Sequence, residues 1–153
     1  MKSFNALAFS TGLAAALAVW PSSILLAASP SQEPIDMSVV QLEPQQQNGI
    51  SYLSGGIGLD ESRAIQQAKG YNLHLTFSTG PANEYVPDVD VMIQNMQGHS
   101  VLALNQVGPI VYVNLPAGRY NVTATRNGQP EQSSVTLVGG TIRDVNAHWK
   151  DAK

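Results

Sequence analysis

Apolar and polar residues alternate with a period of two along most of residues 71–149, and turn residues separate the runs, which predicts strands rather than helices. The clearest stretch is residues 108–125. One strand runs through Ile110, Val111, Tyr112 and Val113 into a Leu115-Pro116-Ala117-Gly118 corner. A second strand leaves it with Tyr120, Val122 and Ala124 on one face and Arg119, Asn121, Thr123 and Thr125 on the other. An isolated hairpin is marginal in water, so other alternating segments must complete a core. Tyr71, Leu73, Leu75 and Phe77 alternate with Asn72, His74, Thr76 and Ser78; Val89, Val91 and Ile93 alternate with Asp88, Asp90, Met92 and Gln94. Residues 101–104 form a short strand whose inward face the pattern leaves unassigned. Asn127-Gly128 marks a hairpin, after which residues 131–138 turn Val135 and Leu137 inward, and residues 141–149 turn Val145, Ala147 and Trp149 inward. The count is seven strands at roughly ten-residue spacing, the pattern of an all-β sandwich.

Upstream the period changes. Residues 50–54 read as a short extended piece that enters the turn Gly55-Gly56-Ile57-Gly58. No Lys-Ser/Thr follows, so the glycines read as a positive-φ turn and not as a phosphate cradle. A short helix follows, with Asp60 as its N-cap, Glu61 in its first turn, Ile65 and Ala68 on one face, Lys69 near its end and Gly70 as its stop. Residues 29–49 are polar and proline-spaced, the composition of a disordered linker, with a short docked strand at Val39-Val40 as the alternative. Residues 1–28 have the layout of a secretory signal: Lys2, then apolar runs through Trp20 and from Ile24 to small residues at Ala27-Ala28, where cleavage is expected. The alternative is an uncleaved anchor. Either way the remainder lies outside the cytoplasm, periplasmic or secreted, and membrane contact is confined to the signal segment before cleavage. Residues 150–153 form a charged tail.

Composition narrows the function. The 153 residues carry a net charge of -3, and the eight basic side chains form no stripe that would neutralise phosphates, which argues against a nucleic-acid partner. With no cysteine, disulfides, thiolate metal sites and a Cys nucleophile are excluded.

Asp88-Val89-Asp90-Val91-Met92-Ile93, the Gly98 turn, Gly108-Pro109 and above all the run from Leu115 to Ala124 resemble the carboxypeptidase regulatory-like domain family over about residues 71–149. The resemblance implies a transthyretin-like (prealbumin-like) fold: a seven-stranded antiparallel Greek-key sandwich, here with one short N-terminal helix. The Gly55-Gly56-Ile57-Gly58 turn with its helix is similar to a subset of small exported bacterial proteins carrying this domain. The family name implies no peptidase activity, because the zinc ligands of true metallocarboxypeptidases lie in a separate catalytic domain. A purine-pathway hydrolase shares the transthyretin-like fold and carries a Tyr-Arg-Gly-Ser ending; this chain ends Trp149-Lys150-Asp151-Ala152-Lys153.

Chemistry-bearing residues are few. His74, His99 and His148 lack metal-ligand spacing, and Asp88 with Asp90 lack the further oxygens of a calcium loop, so no metal or cofactor is expected. No Gly-x-Ser-x-Gly occurs, and no catalytic residue is assigned. Pro116, Gly118 and Tyr120 form a structural corner, in which Gly118 supplies a left-handed residue and the Tyr120 hydroxyl reaches a backbone group. Tyr112, Tyr85 and Tyr52 are the candidate binding residues. Tyr112 lies opposite Val111, Val113 and Leu115, so it is either an exposed platform or packed under the helix beside Ile65. The expected function is a non-enzymatic exported module that binds a protein partner in the periplasm or cell envelope. The alternatives are an envelope-glycan-binding module using exposed aromatics, or a small hydrolase of transthyretin-like fold.

Overall fold

In the computed structural model, which describes residues 33–150, the period-two segments form two stacked sheets. The expected signal segment lies outside the described residues. In chain order the elements are β1 (Gln45–Gln47), β2 (Ile50–Gly55), α1 (Leu59–Gln67), β3 (Leu73–Thr79), β4 (Glu84–Tyr85), β5 (Val89–Asn95), β6 (Ser100–Val107), β7 (Ile110–Asn114), β8 (Gly118–Arg126), β9 (Gln129–Leu137) and β10 (Arg143–Trp149). One sheet has the order β1-β2-β7-β3-β10 with β4 paired to β3; the other has the order β6-β5-β8-β9.

The described residues hold ten strands where the pattern predicted seven. The additional three are β1, β2 and β4. β1 and β2 form a hairpin around Asn48 and Gly49, whose φ values of 53° and 76° suit a type I′ turn. β1 falls inside the stretch expected to be a disordered linker. Its sequence, Gln45-Gln46-Gln47, has no apolar alternation, and it is held by backbone pairing and by side-chain bonds: the Tyr52 hydroxyl donates to Gln45 Oε1 at 2.7 Å and Gln46 Nε2 donates to Ser51 Oγ at 3.2 Å. Val39 and Val40 form no strand. The sandwich also departs from a wholly antiparallel arrangement, because β10 pairs with β3 in parallel, Arg143 opposite Leu73 through Trp149 opposite Thr79. Alternation reports which face a residue takes, and it carries no information about strand direction.

The main core lies between the sheets. Leu73, Leu75, Phe77, Val111, Val113, Ala147 and Trp149 face Val91, Ile93, Leu102, Leu104, Val122, Ala124, Val135 and Leu137. β6 turns Leu102, Leu104 and Val107 inward. Its phase is hard to read because Val89 pairs with Val107 while Val91 pairs with Leu104, an irregularity centred near Gln106 at φ 51°. A second cluster, Leu53, Ile65, Ile110 and Tyr112, sits on the outer face of the first sheet beneath α1. The central strand β7 is therefore buried on both faces.

The helix starts earlier than expected, with its N-cap two residues before Asp60. Gly58, at φ 89°, is the N-cap and offers no side chain; Asp60 lies inside the first turn. The open N–H of Gly56 is instead met by Glu61 Oε1 at 3.0 Å, while Ser62 Oγ donates to the Gly56 and Gly58 carbonyls. At the Pro116–Tyr120 corner the Tyr120 hydroxyl donates to the Pro116 carbonyl at 2.8 Å. Gly118 has φ 159°, at the extended limit, so the corner does not use the left-handed residue expected there.

Candidate functional site

Strand register assembles a row of chemistry-bearing side chains on the outer face of the first sheet. Tyr112 of β7 stands opposite His74 of β3, and His74 stands opposite Asp144 of β10. The His74 and Tyr112 rings stack with centroids 3.6 Å apart and planes 5° from parallel. His74 Nδ1 lies 3.3 Å from Asp144 Oδ1. A carboxylate only accepts, so this contact favours a proton on Nδ1. Burial pushes the Tyr112 phenol above its ordinary value, and the charges of Asp144 and Tyr85 add to the shift.

Four residues further along the same strands, Ser78 of β3 stands opposite His148 of β10 and Tyr85 of β4. Ser78 is buried, donates to Asn146 Oδ1 at 3.3 Å and has its Oγ 3.1 Å from His148 Nδ1. The serine and the carboxylate thus attend different histidines. Nucleophile, base and orienting acid are not in one chain of contacts, and the arrangement does not form a Ser-His-Asp relay.

Beside the stack, the end of α1 and the entry to β3 open a cleft of about 680 Å³ lined by Gln66, Gln67, Ala68, Lys69, Gly70, Tyr71, His74 and Ile142. The pattern assigned Tyr71 to the inward face of a strand. β3 begins at Leu73, so Tyr71 is free to turn outward, and its ring tilts at 51° against Tyr112 with centroids 6.3 Å apart. No single-strand pattern marks this cleft. The one signal was that His74 and Tyr112 both fall on outer faces of strands that pair.

The three candidate tyrosines do not converge. Tyr112 is 6% exposed and packs with Leu53, Ile65 and Ile110, so it offers no stacking platform. Tyr52 pairs with Val113, packs against the main core from the opposite side of the sheet and spends its hydroxyl on Gln45. Tyr85 alone is open, at 48% exposure. Asp90 Oδ1 accepts from the Gln106 N–H at 2.9 Å and secures the β6 irregularity. Among the described residues no cluster of three His, Asp or Glu side chains has metal-binding geometry.

The lateral edges of the two sheets differ. Along β6, Gln47 Oε1 accepts from the Ala103 N–H at 2.8 Å and Asn48 Nδ2 approaches the Val101 carbonyl at 3.5 Å, so the β1–β2 hairpin covers that edge. β9 carries Pro130 and Glu131, both of which discourage pairing. β10 runs beside β9, and the Trp149 Nε1–H donates to the Gln129 carbonyl at 3.0 Å. Arg143 N–H donates to the Asn72 carbonyl and the Trp149 carbonyl accepts from Gly80 N–H, which sets the odd-numbered residues of β10 to bond inward to β3. The backbone N–H and C=O groups of Asp144, Asn146 and His148 therefore point away from the sheet.

No protein-family model matches the chain, and no curated protein matches it. Among solved structures, the chain is similar to the Bacillus anthracis TIE protein, at a TM-score of 0.39 and 19% identity; the match covers 53% of this chain and 17% of that one. No helix among the described residues is long and apolar enough to cross a membrane.

Proposed function

We propose that this chain is a non-enzymatic, exported β-sandwich module that holds a protein partner in the periplasm or cell envelope by accepting an extended segment along β10. The observation that carries the reading is the backbone phase of β10, which turns the N–H and C=O groups of Asp144, Asn146 and His148 away from β3, in contrast with the bonded edge of β6. Strand addition draws its affinity from main-chain hydrogen bonds and needs no sequence motif. The outward side chains of the same residues would read the partner, since side chains of alternate residues stand on one face.

Export rests on the signal-like residues 1–28, and the transthyretin-like Greek-key assignment rests on the Leu115–Ala124 resemblance. The separation of Ser78 from Asp144 by four residue positions along the strands supports the binding reading over the hydrolase alternative. The test is affinity capture from an envelope extract with the full chain as bait, followed by mass spectrometry. A protein retained by the native chain and released by a competing β10-edge peptide supports the proposal. Retention of no protein, or of proteins indifferent to that peptide, refutes it.

A further inference from the structure

The cleft at the end of α1 has a chemistry that strand addition does not use. His74, whose ring stacks on Tyr112 and whose Nδ1 faces Asp144, lines it. Its walls are the half-exposed Tyr71 ring and the exposed Ile142 side chain, and its rim carries the exposed Gln66 and Gln67 amides and Lys69. Each glutamine supplies both donors and an acceptor, and Lys69 supplies donors only. An apolar ligand would strip water from these groups without replacing their hydrogen bonds. Lys69 is the one Lys, Arg, Asp or Glu side chain of the lining, and it is exposed, so solvent screens the charge it brings. A ligand that offers many hydroxyls around a flat C–H face satisfies both walls and rim. The volume of about 680 Å³ is within the range of small-molecule clefts.

We propose that this cleft binds a neutral saccharide, with one sugar ring against Tyr71 and Ile142 beside His74 and its hydroxyls bonded to the Gln66 and Gln67 amides. The site is distinct from the outward backbone of β10, and from the Tyr112, Tyr85 and Tyr52 set, which does not assemble.

The test is an NMR titration of the full chain with cellobiose, maltose and diacetylchitobiose as neutral probes, and with glucuronic acid and glucosamine as charged ones. The proposal expects saturable shifts at Tyr71, His74 and Ile142 with at least one neutral probe. Tyr71→Ala is expected to weaken that binding about tenfold, since an aromatic stacking contact is worth up to ~1.5 kcal/mol. The ring-current-shifted His74 resonance reports whether the Tyr112 stack survives the substitution. The double variant Gln66→Ala/Gln67→Ala, at exposed helical positions, provides a second reading and is also expected to weaken binding. Asn146→Pro is expected to leave sugar binding unchanged, which separates this site from the β10 edge. Absence of saturable shifts with every neutral probe overturns the proposal, as do shifts with the charged probes alone or undiminished affinity in both variants.

Discussion

His74 lies flat on Tyr112, with ring centroids 3.6 Å apart, and this stack joins the buried cluster under α1 to the polar outer face of β3 and β10. Tyr112 packs there with Leu53, Ile65 and Ile110. Tyr112→Ala removes the ring from a site that is closed on both sides, and the expected loss is about 3 kcal/mol of unfolding free energy. Tyr112→Phe keeps the ring and its contacts and is expected to stay within ~1 kcal/mol of the native chain. Denaturant unfolding of the two variants checks the difference; equal losses would mean that the phenol oxygen, not the ring, matters.

The same burial sets an alkaline limit on stability. The phenols of Tyr112 and Tyr120 are both held above their ordinary value of 10.0, chiefly by burial. Above that value the unfolded chain loses these protons while the native chain retains them. The unfolded state then binds fewer protons, so stability falls as pH rises from the ordinary value through the folded one, and is unaffected by these groups below it. Urea midpoints measured from about pH 9 to about pH 11 should decline, and decline less steeply in Tyr112→Phe.

Gly108 marks a close approach of two backbones. A Cβ at this position would come within 2.6 Å of the Gly55 carbonyl oxygen, and the Gly108 N–H already bonds Ser54 Oγ at 3.0 Å. Backbone cannot yield as a side-chain end can. Gly108→Ala is expected to cost about 2 kcal/mol or more, read as a fall in thermal midpoint. A midpoint equal to the native value would show that the β2 end moves aside freely.

Proline distinguishes the two sides of β10. Ala147 bonds inward to β3, so Ala147→Pro removes a ladder bond and is expected to cost about 3 kcal/mol or more. Asn146→Pro removes an outward N–H and spares the ladder; its cost is expected to be clearly smaller, limited mainly to the lost Ser78–Asn146 bond of about 1 kcal/mol. Thermal melts of the pair settle the phase of the edge. The reverse order of stability would invert the assignment of outward groups.

Where a residue's face decided its fate, the sequence was readable. Leu73, Leu75 and Phe77 of β3 and Tyr120, Val122 and Ala124 of β8 alternate cleanly because each strand has one buried and one open face. β1 was not readable, because three glutamines form a strand through backbone and side-chain amide bonds that leave no hydrophobic trace. β7 misleads for the opposite reason. It is buried on both faces, and alternation alone left Tyr112 as either an exposed platform or a residue packed under the helix beside Ile65; the structure shows the second. The outer-face row of Tyr112, His74 and Asp144 depends on a parallel pairing between β3 and β10, about seventy residues apart in the chain, which local periodicity cannot report. The cleft depends in addition on where β3 starts, and a shift of two residues moved Tyr71 from the core to its wall.

The most direct test of strand addition is amide hydrogen exchange of the full chain, alone and with the captured partner bound. The amides of Asp144, Asn146 and His148 point outward and should exchange quickly in the free chain. In the complex they should become protected together, while Gln132 and Ser134 on β9 should change little. Fast exchange at all three in the bound state would contradict the account.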